Sequence, residues 1–185
     1  MNFIFLHNFY VQFAAPNSEQ LFSKLNGENK VDNAFFRWGN KCDVDRIPLK
    51  WEDYMSLLQP SIDKFSDDVG KSFNFIMNDP WLNLYKQGGF QEVHDHCEGS
   101  DIACVFFLNG GNNFFFRDRY NAEMSFSMSE LLNYSDYFVP EVNAGDIMFF
   151  PSYLMHGVSP NTSGEIRKTF SCNFKLSDLA DKTAS

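Results

Sequence analysis

Long hydrophobic runs are missing from this chain of 185 residues, and so is any excess of positive charge. A helix that crosses a membrane needs about 20 consecutive apolar residues, and no run here approaches that length. The formal net charge is -9, whereas nucleic acids and anionic membranes bind surfaces rich in Lys and Arg. We therefore expect neither nucleic acid nor a membrane among the partners.

Signals for secretion and for disulfide cross-linking are also missing. The first residues lack a basic segment and a small-residue cleavage site. The four cysteines show neither a CxxC pair nor the spacing of a disulfide framework; they are Cys42, Cys97, Cys104 and Cys172. We therefore predict reduced thiols and a cytoplasmic location.

Helical periodicity is confined to the N-terminal part of the chain. Apolar residues recur with helical spacing over about 17–27 and again over 51–70, where Pro60 either kinks the helix or divides it. A first strand is predicted over about 2–13. The polar stretch over about 28–50 is predicted to be loop.

Short strands separated by Gly, Asn, Asp and Pro turns fill the rest of the chain, which is rich in aromatics and has 22 Phe. The predicted strands are 73–77, 81–85, 90–96, 102–108, 114–117, 137–142, 146–150 and 169–174. Helices followed by many strands predict a mainly β (α+β) jelly roll, with the N-terminal helices packed on one sheet. We expect a single domain: N-terminal strand and helices over about 1–70, jelly-roll core over about 71–176 and polar tail over 177–185.

Three of the four histidines fall in two blocks that resemble strand ends. His94 and His96 lie two residues apart, so on a regular strand they share one face while Asp95 faces away. The turn at Pro151 bends the chain so that His156 returns towards them. Three ligands on one side of an ion leave positions open for substrate and oxygen, as non-haem iron oxygenases require, usually with two His and one carboxylate.

A candidate anion site follows on the last predicted strand. Arg167 and Thr169 share a face, which Ser171 and Asn173 continue. A guanidinium in a β-core needs an anionic partner, and a dicarboxylate ligand would supply one in bidentate form. The competing interpretation is a surface Arg paired with Asp or Glu. Tyr85 is either a hydrogen-bond donor to a metal-bound carboxylate or one more core aromatic.

Together these residues resemble the iron(II)- and 2-oxoglutarate-dependent oxygenases, in particular a prolyl-hydroxylase-like group found in phages and marine bacteria. The resemblance spans about residues 78–176, and the combination of motifs is more specific than any one of them. The motifs are Trp81-x-Asn83, Gly88, His94-x-His96, Val105-Phe106-Phe107-Leu108, Gly145-Asp146-x-x-Phe149-Phe150-Pro151-Ser152, His156-x-Val158-x-Pro160-Asn161, Arg167 and Ser171-x-Asn173-Phe174.

The resemblance implies a double-stranded β-helix that holds iron(II) and uses 2-oxoglutarate as cosubstrate. It implies that Arg167, helped by Thr169, binds the distal carboxylate, with Tyr85 at the end nearer the metal. The reaction would hydroxylate a C–H bond and release succinate and carbon dioxide. The predicted catalytic residues are His94, His96, His156 and Arg167, with the three histidines as metal ligands, and the predicted cofactor-binding residues are Tyr85, Arg167, Thr169 and Asn173.

One position departs from the family pattern, because the wider superfamily has a carboxylate where this chain has His96. Glu98 has the same strand parity and is the alternative ligand. Two other functions stay open: a three-His, cupin-like metal dioxygenase that does not use 2-oxoglutarate, and a non-catalytic jelly-roll binding protein. The substrate, a small molecule or a protein side chain, is not specified. The segment 119–137 is either a lid over the site or an ordinary capping helix.

Overall fold

The computed structural model describes residues 8–28, 35–36, 41–119 and 126–177. Its helices are α1 (Ser18–Asn26), α2 (Met55–Val69), which follows a 3-10 turn at Trp51–Asp53, and α3 (Phe126–Leu132). Its strands are β1 (Val11–Ala14), β2 (Phe35–Phe36), β3 (Cys42–Pro48), β4 (Asn74–Met77), β5 (Trp81–Tyr85), β6 (Phe90–His94), β7 (Ile102–Phe107), β8 (Phe114–Arg117), β9 (Tyr137–Phe138), β10 (Asp146–Pro151), β11 (His156–Val158) and β12 (Arg167–Ser177).

Strand β3 joins two antiparallel sheets. The first has the order β1-β10-β7-β12-β5-β3, with β4 beside β12 and β2 beside β3. The second has the order β3-β6-β11-β8-β9. Two facing antiparallel sheets with helices on one of them confirm the predicted mainly β jelly roll, the double-stranded β-helix.

Alternation along the strands divides the buried side chains into two layers. On β7, Phe106 packs towards α1 and α2, whereas Phe107 faces the second sheet, because successive side chains point to opposite faces. Burying a Phe side chain contributes roughly 1.5–3 kcal/mol, so both layers stabilise the fold. The layer between the sheets also contains the polar residues described below.

The two N-terminal helices confirm the sequence prediction. Helix α1 ends at Gly27, and α2 ends at Gly70, which adopts the left-handed conformation that glycine tolerates best. Pro60 lies inside α2 without dividing it. Its ring removes the bond to the carbonyl of Ser56, and both residues are exposed, so water can satisfy that carbonyl. Among the described residues, no helix has the length and apolar character needed to cross a membrane.

One loop prediction and two strand predictions were wrong. The segment over 28–50 contains β3 at Cys42–Pro48, where it was predicted to be loop. Strand β6 ends at His94 and does not reach His96, and β9 covers only Tyr137–Phe138 of the predicted 137–142. Strand β3 is polar and contains a proline, so its strand state depends on pairing with β5 and not on local propensity.

The remaining predictions concern the first strand and the four cysteines. The first strand was predicted over about 2–13, and β1 begins at Val11, while residues 1–7 lie outside the described part. No disulfide joins the four cysteines, all of which the structure describes.

Candidate metal centre

The three histidines of the predicted metal site come together. One ring nitrogen from each of His94, His96 and His156 lies within 4.8 Å of the others. The ring centroids are 4.3 Å apart for His94 and His156, 5.0 Å for His94 and His96, and 5.1 Å for His96 and His156. In the part of the chain that the structure describes, no other group of three His, Cys, Asp or Glu side chains meets in this way.

Pairing between two strands of the second sheet produces this convergence. His156, at the start of β11, lies directly opposite His94, at the end of β6. Gly157 permits the close approach, because a Cβ there would lie 2.7 Å from the Phe115 ring and 3.1 Å from the Gln91 carbonyl oxygen. The metal site therefore depends on a contact between residues that are distant in sequence.

His96 reaches the site by a different route from the one the sequence suggested. Strand β6 ends at His94, so the alternation of a regular strand does not extend to His96. The prediction that His94 and His96 share one face of a strand was therefore wrong. Instead, the His96 backbone N–H donates to the carbonyl of Ser152, at 2.8 Å, which ties the turn after β6 to the turn after β10. His96 therefore joins the other two from a loop.

Backbone hydrogen bonds set the tautomers of two of the rings. Nδ1 of His94 lies 2.8 Å from the carbonyl oxygen of Glu92, and Nδ1 of His156 lies 2.9 Å from that of Leu154. Each Nδ1 must carry the proton to donate to a carbonyl, so the lone pair is on Nε2. Such outer bonds orient the ligating imidazoles of metal sites.

Burial keeps all three rings neutral, which is the form that binds metal. Burial lowers the pKa of His94 below its usual value, and lowers that of His156 well below it. The pKa of His96 falls to about 4, mainly through burial, with smaller contributions from the charges of His94 and Arg46. The set of three neutral nitrogens suits iron(II) and other borderline divalent ions.

The two acidic neighbours do not join the cluster. Glu98 is exposed and lies in an outer cleft beside His94 and His96, but it is not among the converging ligand atoms. The carboxylate of Asp95 pairs with Arg119 and accepts a bond from the backbone N–H of Cys97 at 3.2 Å. The geometry therefore favours three histidines over two histidines and Glu98.

A buried cation lies on the sheet opposite the histidines. Arg167 is only 4% exposed, and none of its three guanidinium nitrogens has a hydrogen-bond partner among the described residues. Its guanidinium carbon lies 5.8 Å from the ring centroid of Tyr85, the residue paired with it across β12 and β5. Burial lowers the pKa of Arg167 from its usual value. A buried cation without a partner is costly, so this side chain is suited to an anionic ligand.

The other predicted residues of β12 line the cavity that contains the three histidines. Thr169, Ser171 and Asn173 face this cavity, as their alternation predicts. Nδ2 of Asn83 donates to the hydroxyls of Thr169, at 3.2 Å, and Ser171, at 3.1 Å. The polar wall is therefore connected by hydrogen bonds before any ligand binds.

Tyr85 is linked to the three histidines through one residue, Gln91. Its hydroxyl donates to Oε1 of Gln91 at 3.1 Å, and the Gln91 amide donates to Nε2 of His94, also at 3.1 Å. Because Nε2 has a single lone pair, His94 either accepts this bond or binds a metal, and metal binding would release the Gln91 amide. Burial raises the pKa of Tyr85 to about 12, so the phenol stays protonated and remains a donor.

Three residues of the cavity were missed by the sequence analysis as site residues: Arg46, Asn83 and Gln91. Asn83 and Gln91 could have been identified from the sequence, because each is a polar residue on a strand that also carries a predicted site residue. Arg46 had none, because its strand was predicted to be loop. The segment 119–137 contains α3 with Met128 and Leu131 exposed, while residues 120–125 lie outside the described part.

Comparison with known families assigns the chain to a class. Residues 79–173 match the model of the family described as "Putative 2OG-Fe(II) oxygenase". Because this match covers half of the chain, the chain belongs to the 2OG-Fe(II) oxygenase family, whose cofactors are iron(II) and 2-oxoglutarate. No curated protein matches the sequence.

Solved structures share the fold at low sequence identity. The non-heme alpha ketoglutarate dependent carbocyclase SnoK from nogalamycin biosynthesis is 15% identical, with a TM-score of 0.68 over 92% of this chain and 80% of that one. A Pseudomonas putida prolyl-4-hydroxylase is 15% identical, with a TM-score of 0.61 over 91% and 93%. HygX from Streptomyces hygroscopicus, with nickel, 2-oxoglutarate and hygromycin B bound, is 12% identical, with a TM-score of 0.59 over 89% and 82%.

Proposed function

We propose that the protein is an iron(II)- and 2-oxoglutarate-dependent dioxygenase that hydroxylates a C–H bond of its substrate. His94, His96 and His156 hold the metal, and Arg167 binds the distal carboxylate of 2-oxoglutarate. The whole chain acts as a single oxygenase domain. Iron(II) and 2-oxoglutarate together supply an oxidation by dioxygen in which succinate and carbon dioxide are the coproducts.

The observation that carries this proposal is the buried guanidinium of Arg167, which has no hydrogen-bond partner among the described residues. Arg167 shares a face of β12 with Thr169, which lines the cavity of the histidines. A three-histidine dioxygenase that does not use 2-oxoglutarate has no need of this cation. A non-catalytic protein would gain stability by replacing it with an apolar residue. A dicarboxylate long enough to reach from the metal to Arg167 gives the cation its partner.

The remaining residues orient and hold the cosubstrate. Thr169 and Tyr85 offer hydroxyls on the same face as Arg167, and Asn173 lies further along β12, beside the outer cleft. Phe114 and Phe150 pack on His156, with ring centroids 5.7 and 4.8 Å away, and exclude water from that ligand. The aromatic wall thus keeps the metal position dry on one side.

The substrate is a small molecule or a protein side chain. Two structural neighbours illustrate this range, since one is a prolyl-4-hydroxylase and another has hygromycin B bound. The outer cleft beside His94 and His96 is the route by which either substrate would approach.

An anaerobic titration tests the proposal. Iron(II) followed by 2-oxoglutarate is expected to produce the weak visible charge-transfer band of a chelated complex. His156→Ala should abolish iron binding and the band. Arg167→Ala should bind iron normally but lose roughly 2–5 kcal/mol of 2-oxoglutarate affinity, which is about thirty-fold or more.

Lys168→Ala is the matched control, because Lys168 is adjacent in sequence and on the opposite face of β12. Admitting oxygen should then produce succinate, with His156→Ala as the control for free iron. Iron binding without the band would favour the three-histidine dioxygenase. Neither iron binding nor the band would favour the non-catalytic binding protein.

A further inference from the structure

The His96 loop, residues 95–99, lies beyond the paired part of β6. His94 and His156 lie on paired strands, and Nδ1 of each ring bonds to a backbone carbonyl. The His96 ring forms no hydrogen bond with any described residue, and it packs against the rings of Trp81 and His94. The position of His96 therefore depends on the contacts that hold its loop.

The carboxylate of Asp95 holds the His96 loop from both sides. One of its oxygens accepts a hydrogen bond from the backbone N–H of Cys97 at 3.2 Å, which forms a turn around His96. The other oxygen accepts a hydrogen bond from the guanidinium of Arg119. Together with the bond from the His96 backbone N–H to the Ser152 carbonyl, these contacts set the course of the loop.

Arg119 comes from a different part of the chain and contacts both segments that supply metal ligands. It lies just after β8, the strand that pairs with β11. The guanidinium nitrogen that bonds to Asp95 also lies 3.6 Å from Sδ of Met155, the residue immediately before His156. Asp95 itself lies between the other two histidines in the sequence. One guanidinium therefore contacts residues adjacent in sequence to all three histidines.

The ion pair is partly exposed, which confines its effect to the loop. The Asp95 side chain is 27% exposed and that of Arg119 is 49% exposed, so the pair contributes little to the stability of the whole fold. Metal affinity is more sensitive, because outer partners that orient ligands commonly change it by roughly ten- to a hundred-fold. We propose that Arg119 is a positioning residue of the metal centre, which fixes the His96 loop by holding the carboxylate of Asp95. This assignment rests on the proposed function, in which His96 is a metal ligand.

The test titrates the metal-free full chain with iron(II) and, separately, with cobalt(II), both under nitrogen. Cobalt(II) is the spectroscopic probe, because its visible bands change with the number and geometry of its ligands. Arg119→Gln and Asp95→Asn should each weaken the binding of both metals by about three- to ten-fold and alter the cobalt(II) bands. Arg119→Lys should recover part of the affinity, because it keeps the positive charge. The melting temperatures of the metal-free variants should differ from wild type by less than about 4 °C.

Two further variants separate positioning from a general effect of charge. Arg117→Gln is the matched control, because the Arg117 side chain is similarly exposed, at 44%, and pairs with Asp136. This control should change metal affinity by less than about two-fold. The double variant Asp95→Asn, Arg119→Gln should bind both metals within about two-fold of Asp95→Asn alone, because an arginine that acts through Asp95 has no further effect once that carboxylate is removed.

Several outcomes would overturn the assignment. One is that Arg119→Gln binds both metals with wild-type affinity and an unchanged cobalt(II) spectrum. Another is an equal loss in Arg117→Gln, which would make the effect one of net charge. A third is a further loss of affinity in the double variant, which would show that Arg119 acts by a route other than Asp95. All three are distinct from failure of the proposed metal site, in which wild type itself binds neither metal.

Discussion

Burial of Arg167 destabilises the ligand-free protein but suits the side chain to an anionic ligand. An isolated buried guanidinium costs free energy of folding, yet this one has no hydrogen-bond partner among the described residues and lies against the buried ring of Tyr85. The fold tolerates it because the surrounding sheets bury enough apolar surface to offset the cost. Such residues stabilise a ligand complex at the expense of the ligand-free protein.

Replacement of Arg167 by Met is therefore expected to stabilise the protein without ligands. The apolar side chain removes the unpaired charge, so the free energy of unfolding should rise by about 1–3 kcal/mol. Urea denaturation measures this change, and Lys168→Met, one residue along, should alter it much less. A less stable Arg167→Met would mean that the guanidinium has a favourable partner in the ligand-free protein.

Asn161 connects two of the elements that carry the proposed cosubstrate residues. Its side-chain amide donates to the carbonyl oxygens of Tyr85 and Glu165, both at 2.8 Å. Its backbone N–H donates to Gly89 at 2.8 Å, and its carbonyl accepts from Gly88 at 2.7 Å. One buried residue thereby ties the β5–β6 turn to the loop that leads into β12.

Asn161→Ala should consequently weaken both the fold and the cosubstrate site. Loss of two carbonyl partners in a buried loop is expected to cost about 2–3 kcal/mol of unfolding free energy, measured by urea denaturation. The affinity for 2-oxoglutarate should fall, because Tyr85 and Arg167 lose their common support. Thr162→Ala, at the exposed neighbouring position, is the control. Iron affinity should change little, and an equal loss of both affinities would contradict this division of roles.

At the scale of the whole molecule, the helices and the site lie on opposite faces of the first sheet. Helices α1 and α2 cover one face, and the histidines lie in the layer between the two sheets. Arg167 lies beside Tyr85 of the same layer. Under the proposed function, iron(II) and 2-oxoglutarate bound in that layer would contact residues of both sheets. Binding should therefore stabilise the entire fold and not a single loop.

Calorimetry under nitrogen measures this coupling. 2-Oxoglutarate at one hundred times its dissociation constant, added to the iron-loaded protein, should contribute about 2.7 kcal/mol. For a chain of this length that corresponds to a rise of about 5–11 °C in melting temperature. Arg167→Met should retain the increase caused by iron and lose the increase caused by 2-oxoglutarate. An unchanged melting temperature at saturating ligand would show that the site is not part of the cooperative unit.

Local patterns were sufficient for the parts of this protein that depend on neighbouring residues. The helical spacing of apolar residues predicted α1 and α2, and alternation along β12 predicted that Thr169, Ser171 and Asn173 share the face of Arg167. The predicted strand boundaries were less accurate where pairing with a neighbouring strand sets them, as for the short β9. The mainly β jelly roll was predictable because its strands and turns have strong local signals.

The functional groups of the candidate site could be identified from the sequence: three histidines, a strand face with Arg167, and the motifs that resemble an oxygenase. How these groups meet depends on the tertiary fold. It ends β6 at His94 and brings His96 in from a loop through a bond to Ser152, where strand alternation had suggested a simpler route. It also pairs β3 with β5, which turns Arg46 into the cavity. Alternation of side chains is a property of one strand and can be predicted from its own residues. Strand pairing depends on burial against distant segments, so the sequence did not predict the route of His96 or the position of Arg46.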